Sequence, residues 1–158
     1  MFAQMNRNLR VTTMCDSHFD RFCIERGICW DVYVSDRGGN NIGRIYFWLN
    51  REGIVDFDDL TDQELLELRA LHSKYKNSLR SLFQFDGPLN FAYLANESSH
   101  GHHCHYHLVP RYKSSRLFAG HEFVDIAWGH QWISKLMPES LTLAIGDAIR
   151  QTASKQNV

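Results

Sequence analysis

His103-Cys104-His105-Tyr106-His107-Leu108-Val109-Pro110-Arg111 is the most strictly patterned stretch of the chain. Successive side chains of a strand point to opposite faces, so an extended backbone puts His103, His105 and His107 on one face. Cys104, Tyr106 and Leu108 line the other face and read as core. A period of two that runs into Leu108-Val109 separates this pattern from a chance cluster of histidines and leaves three imidazoles to meet a ligand.

Two chemistries suit such a row. Imidazole is a common zinc ligand, but the Cα atoms of His103 and His107 would lie roughly 13 Å apart at about 3.3 Å per residue, whereas zinc holds its nitrogens at about 2.1 Å. Two neighbours can converge on one ion, while three along a strand must lean hard. The alternative is phosphate chemistry, in which the middle imidazole attacks phosphorus and its neighbours hydrogen-bond the flanking oxygens. A line of donors fits an extended polyanion better than a point charge.

The wider chain constrains these options. Its 158 residues suit one domain, and 44% hydrophobic with 22% charged residues is ordinary globular composition. A formal net charge of -1 gives no surface-wide polyanion signature, which argues against duplex nucleic acid and makes any nucleotide contact local. Cys15, Cys23, Cys29 and Cys104 show no CxxC spacing, and the gap between Cys15 and Cys23 is not a usual zinc-ligand spacing. Residues 1–10 lack the apolar core of a secretory signal, and no run is long enough to span a bilayer. The expectation is a reduced, cytoplasmic protein with free thiols and no membrane association.

Residues 1–12 are polar and expected to be loose. From Asp16 or Ser17, the recurrence of Phe19, Phe22 and Cys23 predicts a short helix that Gly27 stops. Cys29–Asp36 and Gly43–Asn50 are rich in β-branched and aromatic residues, and Arg37-Gly38-Gly39-Asn40-Asn41 between them is turn chemistry, so a hairpin is predicted. Asp58–Gln84 reads as a long helix, with Thr61 and Glu64 forming a capping box and Leu68, Leu71, Tyr75, Leu79, Leu82 and Phe83 an apolar stripe. Leu89–Asn96 alternates as a strand, and 97–102 turns it toward the histidines. Trp128 and Trp132, near His130, are candidates for base stacking or packing. Pro138–Gln151 reads as a final helix with Leu141, Ala144, Ile145, Ala148 and Ile149 on one side.

The pattern His-x-His-x-His followed by two apolar residues, with Asn96 upstream and Pro110-Arg111-Tyr112 downstream, resembles the signature of the histidine triad (HIT) superfamily of nucleotide hydrolases and transferases. It is most similar to the bacterial branch described as diadenosine polyphosphate hydrolase-like, over about residues 28–112. The resemblance implies an α+β HIT-like fold, with an antiparallel sheet of about five strands packed by a long helix and flanked by terminal helices. It also implies one HIT-like domain over 1–158, with 113–158 as a C-terminal extension, and a homodimer.

For the site, the resemblance implies that His105 attacks the α-phosphorus of a nucleotide and carries the nucleotidyl group until water removes it. The backbone carbonyl of His103 would hold the other ring N–H of His105, and His103 and His107 would stabilise charge on the phosphate. Asn96 would fix a phosphate oxygen or ribose edge, and Asp36 the ribose. The loop before the triad departs from the family's Gly-Gln-Ser type sequence and reads Ser98-Ser99-His100-Gly101-His102, so Ser99 or His100 would take the role of phosphate ligand or general acid. A further histidine common just after the hairpin is replaced by Arg51-Glu52-Gly53. No magnesium-binding carboxylate cluster is evident, and no cofactor or metal is expected. Dinucleoside polyphosphates and nucleoside phosphoramidates are the implied substrates. Two other readings stand beside this one: a non-catalytic nucleotide-binding protein, and a zinc protein using His100, His103 and His105.

Overall fold

The structure, a computed structural model, describes residues 17–85, 87–94, 97–98 and 101–155. In its first half, a short helix α1 (Ser17–Asp20) precedes three strands, β1 (Cys23–Arg26), β2 (Trp30–Val34) and β3 (Ile45–Leu49). The long helix α2 (Asp62–Phe83) follows, then β4 (Leu89–Leu94), β5 (Glu97–Ser98), β6 (Gly101–His102) and β7 (His105–Pro110). A small hairpin, β8 (Arg116–Phe118) and β9 (His121–Phe123), leads through an irregular segment to α3 (Glu139–Ser154).

Five strands form one antiparallel sheet in the order β1-β2-β3-β7-β4, which makes the fold α+β. β7 thus has a paired strand on each side. Strand alternation divides the two faces. Trp30, Val32, Ile45, Phe47, Leu49, Tyr106 and Leu108 are buried, and the register aligns Ile45 with Leu108 and Phe47 with Tyr106 on one side of the sheet. Tyr46 and Trp48 point to the other side.

Helix α2 covers the apolar face. Thr61 caps it, its side chain accepting from the Glu64 N–H while the Glu64 carboxylate accepts from the Thr61 N–H, so two otherwise orphaned donors are satisfied. The stripe Leu68, Leu71, Tyr75, Leu79 and Phe83 is buried, and Tyr75 meets Phe47 ring to ring. Each such large apolar side chain contributes about 1.5–3 kcal/mol on burial. The helix begins later than the sequence predicts because Phe57–Asp59 forms a separate 3-10 turn. Helix α3 buries Leu141, Thr142, Ile145 and Ile149 against α2, β1 and β2, with Ala144 facing solvent.

The expected helix from Ser17 to Gly27 is divided into a four-residue helix and a four-residue strand. Only Ser17–Asp20 is helical, and Cys23–Arg26 adds to the sheet edge by pairing with β2. Phe22 and Ile24 turn inward there, while Glu25 accepts hydrogen bonds from Tyr75 and Lys74 of α2.

Residues 124–138 fold back against the β2–β3 turn. Gly39 N–H donates to the Lys135 carbonyl (2.8 Å), Met137 N–H to the Asp36 carbonyl (2.8 Å), and the Asn40 amide to the Ile133 carbonyl (3.0 Å). Its other end is anchored by Arg111, which is paired with Asp125 through two hydrogen bonds and donates also to the carbonyls of Ala127 and His130. Trp128 lies over Gly87, where a Cβ would fall 2.4 Å from the ring, so this tryptophan is a packing anchor.

Candidate active site

β7 carries its histidines on the face away from the helices. Opposite His105 and His107 stand Trp48 and Tyr46 of β3, with Leu94 and Ala92 of β4 on the other side. His103 precedes the strand on backbone that stays tied to the sheet: Leu49 N–H donates to the Cys104 carbonyl and Cys104 N–H to the Ile54 carbonyl. Ring contacts place all three imidazoles on one side. His103 stacks on Trp48 at 4.1 Å and 13°, His105 lies 5.6 Å from the same indole, and His105 meets His107 edge-on at 5.1 Å. Cys104, Tyr106 and Leu108 are buried, as the alternation requires.

Hydrogen bonds set the ring protons. His103 Nε2 is 2.6 Å from the Leu49 carbonyl oxygen, which can only accept, so that nitrogen carries a proton. His105 Nδ1 is 3.0 Å from the His103 carbonyl and is likewise a donor. In neutral His105 the lone pair therefore sits on Nε2. His103 Nε2–H is thus given to the backbone at the end of β3.

At the far end of the row stands Arg44. Its Nη2 lies 3.4 Å from His107 Nδ1, Nη1 donates to Ser134 Oγ at 2.7 Å, and Trp132 sits over the guanidinium at 5.7 Å. A guanidinium has no acceptor, so His107 Nδ1 receives the bond and its ring is neutral with the proton on Nε2. Gly43 delivers Arg44 into this position. It takes φ of +81°, and a Cβ would fall 2.8 Å from the Phe83 ring, so both conformation and space call for glycine.

Burial holds all three imidazoles in the uncharged form. It lowers His103 and His105 below the ordinary 6.5, and Arg44 pushes His105 the same way. His107, buried and facing Arg44, is lowered to about 2. Arg44 is itself lowered, by burial and then by Arg37, to about 10, and stays a cation at neutral pH.

Asp36 lies just past β2, half-buried, and its charge acts favourably on Arg44. Asn96, Ser99 and His100 lie outside the described residues. Arg51, just past the hairpin, pairs with Glu64 and ties β3 to the start of α2. Among the described residues, no group of three or more His, Cys, Asp or Glu side chains is arranged to hold a metal ion. No described helix is long and apolar enough to cross a membrane.

Sequence reasoning missed Arg44, Trp48 and Ser134, while Trp132, a stacking or packing candidate from the sequence, sits over the Arg44 guanidinium. Trp48 was within reach, since the alternation that buries Phe47 and Leu49 puts Trp48 on the histidine side. Arg44 and Ser134 carry no local signal, being 63 and 27 positions from His107 along the chain.

No protein-family model matches the sequence, and no curated protein matches it either. Solved structures do. A hypothetical histidine triad nucleotide-binding protein from Sulfolobus tokodaii superposes with a TM-score of 0.63 at 13% identity, covering 86% of this chain and 85% of that one. Diadenosine triphosphate hydrolase from Plasmodium falciparum gives 0.62 at 12% identity, over 87% and 80%. A zinc-bound histidine triad family protein from Mycobacterium smegmatis gives 0.59 at 16%, over 86% of each. The chain has the histidine triad fold. Within that fold the row His103-x-His105-x-His107 runs into and along β7, the strand between β3 and β4.

Proposed function

We propose that this chain is a nucleotide hydrolase or nucleotidyl transferase acting at an α-phosphate through a nucleotidyl group carried on His105. The observation behind this reading is the bond from His105 Nδ1–H to the His103 carbonyl, which leaves Nε2 as a free, neutral nucleophile beside a fixed cation. His105 Nε2 attacks phosphorus, the bond to the leaving group breaks with its electron pair, and water then displaces His105. His103 positions the nucleophile, and the Nε2–H of neutral His107 donates to a phosphate oxygen.

Supporting the reading are structural neighbours described as a nucleotide-binding protein and as a diadenosine triphosphate hydrolase. Dinucleoside polyphosphates and nucleoside phosphoramidates are the substrates proposed. Asp36, Asn96, Ser99 and His100 are proposed substrate contacts. A HIT-like domain with its core in 28–112, a homodimer and a cytoplasmic location complete the proposal.

The test is direct. The full chain is incubated with diadenosine triphosphate and with adenosine 5′-phosphoramidate, quenched without acid, and analysed by mass spectrometry. An adenylyl mass on the peptide containing His105 is expected. Turnover with an adduct elsewhere, or persisting in His105→Ala, rejects the reading.

A further inference from the structure

The buried arginines of this protein differ in how their charge is met. Arg111, 3% exposed, is paired with the Asp125 carboxylate through two hydrogen bonds. Arg44 is 6% exposed, and among the described residues no carboxylate lies within ion-pair distance of it. Its neighbours are a hydroxyl, a carbonyl, an imidazole and an indole face, and among the described residues its Nε has no hydrogen-bond partner. A buried cation left in this state is costly unless an anion completes it.

Resting on the function proposed above, we propose that Arg44 is a specificity-determining residue that holds the charged leaving group, so that the site favours phosphoric anhydrides over phosphoramidates. The two ends of a nucleotide substrate differ in charge. The nucleoside is neutral and the polyphosphate is not, and a buried guanidinium that has Asp36 only at longer range and no ion pair complements the second.

The bond-breaking chemistry points the same way. In an anhydride, the His105 Nε2 lone pair forms the P–N bond while the bridging P–O bond breaks, and the electron pair stays on a phosphate oxygen that is stable as an anion at neutral pH. Water then attacks phosphorus, the P–N bond breaks with its pair returning to Nε2, and the water proton passes to solvent. No proton donor is needed for departure, and a fixed positive charge is the group that helps. A phosphoramidate must instead expel an amine, which leaves only when its nitrogen is protonated. Arg44 opposes that, because its N–H points at His107 Nδ1 and disfavours a second proton on the ring.

The experiment compares kcat/KM for diadenosine triphosphate and adenosine 5′-phosphoramidate in the wild-type chain and in Arg44→Gln, with folding checked by circular dichroism. Arg44→Met carries the same comparison if the glutamine variant does not fold. The wild type is expected to prefer the anhydride. The variant should lose about 100-fold on the anhydride, the size seen when one preorganised donor is removed, and less than about 5-fold on the phosphoramidate. Equal losses on both substrates, or a wild-type preference for the phosphoramidate, overturn the proposal. If neither compound is turned over, the reading of function falls separately, and calorimetric titration with inorganic triphosphate decides the role of Arg44. Binding weakened at least about 10-fold in the variant sustains it, and unchanged or undetectable binding in both proteins removes it.

Discussion

The ring of His105 is oriented by the backbone of His103, Nδ1 to carbonyl oxygen, at 3.0 Å. Because strand residues two apart share a face, the bond lies along the strand and needs no other element to form it. The nucleophilic nitrogen is thus set by the same backbone that sets the row.

Replacing the nucleophile should separate chemistry from binding. His105→Ala is expected to lower kcat by at least about 1000-fold while adenosine monophosphate affinity stays within a few-fold of wild type, since the phosphate retains the His107 donor. Single-turnover kinetics alongside calorimetry check this. Near-normal rates in the variant on every nucleotide tried would refute the covalent route.

The acid limb of activity should lie below the ordinary histidine range. The neutral form of His105 is the active one, and burial together with Arg44 lowers its pKa below 6.5. kcat/KM should therefore be level through pH 7 and 6.5 and decline only at lower pH. Stability follows a related rule. Below about 6.5 the unfolded chain takes up protons on these histidines that the folded chain refuses, so the unfolded state binds more protons and stability falls with falling pH. Urea midpoints that rise between pH 6.5 and 5 would contradict the buried neutral imidazoles.

Trp48→Leu should loosen the row without removing any proposed reacting group. It deletes the face on which His103 stacks and which His105 approaches, a kind of contact worth about 0.5–1.5 kcal/mol beyond burial. A lower melting temperature with a larger proportional loss in kcat than in KM is expected. Unchanged kcat would mean that the indole orients nothing.

Asp125→Ala should cost about 3–5 kcal/mol, the usual penalty for leaving one member of a buried pair unmatched. Arg111 also holds the carbonyls of Ala127 and His130, so protection from amide exchange should drop first in 124–138. Chemical denaturation and hydrogen exchange read the two effects, and a loss under about 1 kcal/mol would show the pair to be dispensable.

What the sequence disclosed follows from the range of each interaction. The histidine row, the capped helix α2 and the hairpin β2–β3 are written in patterns a few residues long, and all three are present. Strand β1 was read as helix because Phe19, Phe22 and Cys23 satisfy helical spacing, whereas the inward pair Phe22 and Ile24 is too short to announce a strand; pairing with β2 decides the matter. Ala144 was placed inward by the same spacing, but Thr142 takes the buried position, its hydroxyl satisfied by the Pro138 carbonyl. The Arg44 cluster was illegible for a different reason. Its members come from the β2–β3 turn, β7 and the segment 124–138, and only the folded chain brings them together.

The interior position of β7 gives the protein a safeguard. A strand with neighbours on both sides can slip only by breaking two ladders at once, and a slip of one residue would exchange the imidazoles for Cys104, Tyr106 and Leu108. A misregistered or half-assembled sheet would therefore offer a thiol, a phenol and an alkyl group where the reactive nitrogen belongs. Competence for chemistry is in this way tied to completion of the sheet, and a partly folded chain cannot acquire it early.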